Sequence, residues 1–149
     1  MHAGHRHEAS IRVVRRPFLI VVHPQPVHVP PGCELLLADH RALRRYGLGA
    51  ARPWPLPYGP YLRSGYLKRG RTVRELAQAA GIDPEALVAT IAAYNDAARE
   101  GRDPEFHKGE SVYDRAQGDP RHGPNPCVAP LADPPFYAVE FRPGDLGTA

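Results

Sequence analysis

A chain of 149 residues with 42% hydrophobic content suits one domain with a core of useful size, and its 18 prolines and 14 glycines make it loop-rich without reaching a disordered composition. The net charge of +3 comes without a dense basic face or a nucleic-acid motif, which argues against DNA or RNA as a partner. The longest apolar run, Phe18 to Val22, is far too short to cross a bilayer and no signal-peptide pattern opens the chain, so a cytoplasmic protein is expected.

Residues 1–32 read differently from the rest. They carry five of the eight histidines and a proline-laden run from Pro24 to Pro31, with one convincing strand, Phe18 to Val22, between them. Proline cannot donate to a ladder, so this region is confined to a sheet edge or an extended connection. Residues 33–48 follow as a buried strand through Leu35, Leu36 and Leu37 and then a helical turn, capped by Asp39 and stopped by Gly47. The next segment, 52–62, is stiffened by Pro53, Pro55, Pro57 and Pro60, and presents Trp54, Tyr58 and Tyr61 on an extended loop. Such a loop covers a core or contacts a ligand.

The best-specified unit is 72–100. Thr72-Val73-Arg74-Glu75 is a capping box that opens a helix ending at Gly81. Asp83-Pro84 then starts a second helix, with Leu87, Ile91, Tyr94 and Ala98 on one stripe and Val88 and Ala92 beside it. This pair reads as scaffold. A DNA-reading helix-turn-helix is excluded because the second helix offers almost no Arg or Lys. Residues 101–135 return to turns, and Phe136 to Phe141 alternates as a half-buried strand.

No complete active site is visible. His2, His5 and His7 lack further ligands at metal spacing, so no metal site is expected. Asp39 and His40 are adjacent on a helix and do not face each other. There is no nucleophile elbow, phosphate loop or G-x-G-x-x-G fingerprint. Cys33 and Cys127 form no disulfide or metal pattern and read as free thiols. The terminal Gly144-Asp145-Leu146-Gly147-Thr148 does have the look of a binding loop, with glycines for close approach and polar groups for a ligand.

From residue 35 onward an ordered series of short motifs carries a family likeness. It runs through Ala38-Asp39-His40, Ser64 to Gly70, Gly81-Ile82-Asp83-Pro84, Tyr94-Asn95 and Gly101 to Phe106. It continues through Gly109-Glu110-Ser111, Gly118-Asp119-Pro120, Pro124 to Cys127, Pro135 to Val139 and Gly144 to Thr148. Over about three quarters of its length the chain resembles FAD-dependent oxidoreductases related to fumarate reductase flavoproteins and 3-ketosteroid dehydrogenases, with the ketosteroid branch favoured.

The resemblance implies an α+β substrate-binding (cap) domain over 33–135, with a two-helix unit, short strands and long Pro/Gly-rich loops. Residues 136–149 would then form a strand and loop returning towards an FAD-binding domain. It also implies Gly144, Asp145, Gly147 and Thr148 as cofactor-proximal residues, and pocket walls for which Trp54, Tyr66 and Tyr137 are the candidates. The parent chemistry would be FAD-linked dehydrogenation or reduction of a carbon–carbon bond beside a ketone in a bulky hydrophobic substrate. The dinucleotide-binding fold and the downstream tyrosine–glycine pair of the family are absent from this sequence, and no family motif extends into residues 1–32. No catalytic residue is therefore carried over. The expectation is a truncated or frame-shifted piece, silent alone, with exposed apolar surface and a separately encoded FAD-binding domain as partner. The alternative is a non-catalytic small-molecule-binding or interaction domain that retains the cap fold.

Overall fold

The computed structural model describes residues 10–12, 20–23 and 34–141. Five strands form one sheet: β1 (Ser10–Arg12), β2 (Ile20–His23), β3 (Glu34–Ala38), β4 (Leu67–Gly70) and β5 (Phe136–Phe141). Their spatial order is β1-β2-β3-β5-β4, and every neighbouring pair is antiparallel. The helices are α1 (His40–Tyr46), α2 (Gly59–Arg63), α3 (Val73–Ala80), α4 (Pro84–Arg99) and α5 (Val112–Gln117). The class is α+β, as expected.

Alternation along the strands sorts the core into two clusters, one per sheet face. Leu35, Leu37, Phe136 and Ala138 face α3 and α4, where Leu76, Ala77, Leu87 and Ile91 complete the larger cluster. Ala38, Tyr137, Val139 and Leu67 face the other way, against Ala42 and Leu43 of α1 and Leu48 and Ala51 of the following turn. Both faces of β5 are therefore covered, and Phe136 through Val139 are all buried. The expected half-buried strand is instead the inner strand between β3 and β4. The pairing with β4 was not foreseen, because Leu67-Lys68-Arg69-Gly70 has one large apolar residue and two charges and no strand pattern of its own.

The helix boundaries follow their caps. Asp39 accepts from the Ala42 amide, and Gly47 closes α1 at φ 75°. Thr72 accepts from the Glu75 amide, and Gly81 ends α3 in the left-handed region. The return bond of that capping box goes one residue further out than expected, since Glu75 accepts from the Arg71 amide. Asp83 caps α4 through the Glu85 and Ala86 amides. Two short helices appear where loops were expected. The 52–62 segment is not extended throughout, for Pro60 sits in the first turn of α2. Within 101–135, Ser111 caps α5 through the Asp114 amide. The Phe18–Val22 strand is realised as Ile20–His23, while Phe18 and Leu19 lie outside the described residues.

Candidate functional site

The face of the sheet beneath α1 and α2 gathers Tyr46, Tyr58, Tyr61 and Tyr137. β5 sets the base of this region. In register, Ala38 of β3, Tyr137 of β5 and Arg69 of β4 form one cross-strand row on one face. Tyr137 is 3% exposed, its ring stacks on His40 at 6.1 Å, and its Oη lies 3.3 Å from His40 Nδ1. His40 thus faces a partner far away in sequence, on the strand that α1 packs over, and not its neighbour Asp39.

The segment before α2 brings Tyr58 over the same row, with its ring 6.4 Å from that of Tyr137. Burial pushes the Tyr137 phenol up, opposed by Arg69 and assisted by Tyr58. Tyr58 is likewise raised by burial and opposed by Arg44. Both phenols are neutral donors at physiological pH. The Tyr58 Oη is buried and has no hydrogen-bond partner among the described residues. A buried hydroxyl without a partner costs free energy that an arriving acceptor would recover.

One helical turn along, Tyr61 packs on Tyr66 at 5.9 Å. Tyr66 Oη accepts from the Ala50 amide at 2.9 Å, and Gly49, at φ 59°, leaves the space for it: a Cβ there would stand 2.3 Å from that oxygen. Trp54 is 62% exposed, under the Arg44 guanidinium at 4.9 Å, and its amide donates to the Arg44 carbonyl. Of the three pocket candidates, Tyr137 packs against Tyr58 and Tyr66 against Tyr61, two separate ring pairs whose Tyr58 and Tyr61 lie three residues apart in the chain. Trp54 makes no ring contact with either and is tied to α1 instead. Arg44 and Arg69 are not singled out by the sequence, which offers Tyr58 only as part of the aromatic 52–62 loop and His40 only as a neighbour of Asp39. The clue that was available is the three-residue spacing of Tyr58 and Tyr61 beside a proline that starts a helix.

Among the remaining buried polar groups, Asp103 Oδ2 likewise has no hydrogen-bond partner among the described residues, whereas Asp119 is held by its neighbours. Asp119 accepts from Tyr46 Oη at 2.5 Å and pairs with Arg45 and Arg121. The Tyr46 hydrogen bond, followed by the Arg121 amide, holds its carboxyl down to about 2, while burial and then Asp119 push the Tyr46 phenol up to about 12. A depressed acid contributes stability that is present above its ordinary pKa near 4 and lost as pH falls through 2. Urea melts between pH 5 and 2 should therefore show Asp119→Asn as flatter than the parent across that window. Parallel curves would mean that the network does not form.

A dinucleotide does not fit the described residues. All described strand pairs are antiparallel, so no βαβ unit is present among them. The N-terminal amides of α1, α3, α4 and α5 are capped by Asp39, Thr72, Asp83 and Ser111, and three of those first turns also hold an acid. A phosphate would meet occupied donors and negative charge. Gly144, Asp145, Gly147 and Thr148 lie outside the described residues, as do His2, His5, His7 and Cys33. Among the described residues, no group of three or more His, Cys, Asp and Glu side chains could hold a metal ion, and no helix is long and apolar enough to cross a membrane.

Comparison with known proteins adds the following. The profile of a family described as FAD binding domain matches residues 2–149. The chain is 44% identical over 113 residues to the 4-oxocyclohex-2-ene-1-carboxylate 5-dehydrogenase of Sinomonas cyclohexanicum, covering 76% of this chain and 19% of that protein. It is 40% identical over 113 residues to the 3-oxosteroid 1-dehydrogenase of Mycobacterium tuberculosis, covering 76% and 20%. Among solved structures it resembles the 3-ketosteroid Δ1-dehydrogenase from Sterolibacterium denitrificans in complex with 1,4-androstadiene-3,17-dione. There the TM-score is 0.69 at 35% identity, over 78% of this chain and 21% of that one. It also shares the fold of the open conformation of a flavocytochrome c3 fumarate reductase, with TM-score 0.50 at 21% identity over 79% of this chain and 16% of that one. The chain spans about a fifth of the length of the curated relatives it matches.

Proposed function

The chain belongs to the FAD binding domain family, and from that premise we propose that residues 33–135 are the substrate-binding cap of an FAD-dependent dehydrogenase acting on a CH–CH bond beside a ring ketone. The observation that carries this reading is the likeness, at 35% identity over 78% of the chain, to a ketosteroid dehydrogenase in complex with a steroid dienedione. The aromatic layer supports it. Tyr58, Tyr61, Tyr66 and Tyr137, with Trp54 at the rim, offer apolar ring faces. The unpartnered Tyr58 Oη supplies a neutral donor for a ketone oxygen. These residues bind and orient; they include no nucleophile–base pair.

In this reading residues 136–149 lead back towards the flavin, with Gly144, Asp145, Gly147 and Thr148 on the flavin-facing loop. The dinucleotide cradle comes from elsewhere, for which a separately encoded FAD-binding domain is one source. In this reading the chain alone, whose described residues hold no such cradle, is catalytically silent.

After incubation with excess FAD and gel filtration, the chain is expected to elute colourless. A chimera carrying residues 34–141 in place of the matching segment of the Sinomonas dehydrogenase is expected to show flavin reduction on addition of a ring ketone. Stoichiometric flavin retained by the chain alone, or a folded chimera that never reduces its flavin with any ring ketone, would sink the reading.

A further inference from the structure

The turn that follows α4 holds a second group of titratable side chains, outside the aromatic layer. Asp103 is 5% exposed, its Oδ1 accepts from the Phe106 amide at 3.3 Å, and its carbonyl accepts from the His107 amide at 2.8 Å. His107 has a φ of 54° and is the one non-glycine residue with a positive φ among the described residues. A backbone is held there only where its surroundings enforce it. Here Asn125 does so in part: its Nδ2 donates to the Lys108 carbonyl at 2.9 Å, and its Oδ1 accepts from the Cys127 amide at 2.9 Å. One side chain thus fixes Lys108 and Cys127 together.

The Lys108 side chain is half-buried, while His107 and Glu110 near it are exposed, so the site opens to solvent. Burial pulls the Lys108 amine down to about 8, opposed by Cys127, Asp103 and Asp114. The Cys127 thiol is raised by burial and donates to the Asp114 carbonyl at 3.0 Å, which leaves the amine as the nucleophile of the group. Asp103 Oδ2 is buried without a hydrogen-bond partner among the described residues, and lies close enough to act on both Lys108 and Tyr94. The Tyr94 hydroxyl is committed to the Ala129 carbonyl at 3.1 Å.

An amine that is partly neutral near pH 8, beside a carboxylate with an open acceptor, is suited to addition to a carbonyl. Acylation would erase the lysine charge and leave the carboxylate buried beside a neutral amide. A protonated imine keeps that charge next to Asp103. The apolar cluster of Ala98, Cys127 and Val128, with Tyr94 against it, favours an aliphatic chain on the electrophile. We infer that Lys108 is a Schiff-base-forming residue for small aliphatic aldehydes, with Asp103 as its proton carrier. Nζ bonds to the aldehyde carbon, Asp103 carries the amine protons to the departing oxygen, and water leaves as the C=N bond forms, with no net oxidation or reduction. This site is separate from the aromatic layer and does not depend on the cap reading.

Lys68 is the only other lysine in the chain, is likewise half-buried, and pairs with Glu140 at 3.7 Å, so it serves as an internal reference. The full chain is treated with butanal and sodium cyanoborohydride, and the reduced adducts are mapped by peptide mass spectrometry. At about pH 7.5 roughly tenfold more adduct is expected on Lys108 than on Lys68, saturating with butanal. The excess should shrink towards about pH 10, where an ordinary lysine also turns neutral, and vanish in urea. Asp103→Asn should lower the Lys108 adduct about fivefold, whereas an acid that acted only by its charge would, on removal, leave more neutral amine and raise it. Thermal melts check that the variant folds. Equal labelling of the two lysines in the folded chain, an excess that survives urea, or an unchanged or higher yield in folded Asp103→Asn would overturn the inference.

Discussion

Replacement of Gly70 by alanine is expected to destabilise the protein by about 3 kcal/mol or more, well beyond the usual effect of one added methyl group. Gly70 ends β4 opposite Phe136, on the face that carries α3. A Cβ there would stand 2.2 Å from the Leu76 amide nitrogen, 2.7 Å from Leu76 Cα and 2.8 Å from the Glu75 carbonyl carbon. All three are helix backbone, so no flexible side-chain tip can swing aside. The only relief is to lift α3 from the sheet, and that opens the cluster around Leu76 and Ala77. Gly65→Ala is the control. Its φ of 76° makes alanine strained, yet nothing lies within 4 Å of a Cβ, so about 1 kcal/mol is expected. Urea denaturation of both variants measures the difference. If Gly70→Ala costs no more than Gly65→Ala, α3 does not seat directly on β4.

Asp39→Ala is expected to cost about 3 kcal/mol, mostly from buried donors left without an acceptor. The carboxylate is 5% exposed and accepts from three backbone amides: Ala42 at 2.8 Å, Ala132 at 3.2 Å and Asp133 at 3.2 Å. The first is the cap of α1. The other two anchor the chain that enters β5, and the His40 amide donates back to the Asp133 carbonyl. One side chain thus joins α1 to a segment more than ninety residues away. Asn at this position keeps one acceptor oxygen but turns an amide towards donors, so it should recover only part of the loss. Denaturant midpoints that drop at unchanged m-value would report this as lost stability. A loss no larger than that of an ordinary helix cap, about 1 kcal/mol, would mean that the bonds to Ala132 and Asp133 contribute little.

What was legible in the sequence is what local chemistry decides. Asp39, Thr72 and Asp83 announce their helices because a short polar side chain reaches amides two or three residues ahead. The Leu87–Ile91 stripe announces its face by period. β4 was illegible because its strand state is imposed by β5, and nothing in Lys68-Arg69 favours it. α5 was illegible because Val112 and Tyr113 are exposed and give no inward stripe, leaving the Ser111 cap as its single sign. For the site, Trp54, Tyr66 and Tyr137 came from the family likeness, and the fold adds their surroundings. His40 was set aside for standing beside Asp39. Its partner, Tyr137, lies 97 residues on, and only the sheet register could disclose that.

The inner position of β5 also has a consequence for how the chain acquires its fold. β3 and α1 emerge from the ribosome early, but their partner strand is made about a hundred residues later. Until then the α1 face of the sheet lacks Tyr137 and Val139, and the α3–α4 face lacks Phe136 and Ala138. The helical pair can form by itself from local contacts, while both hydrophobic layers wait for the same six residues. Closure of β5 between β3 and β4 is then a single late event that completes both layers together, and its amides should be among the last to exchange with solvent deuterium.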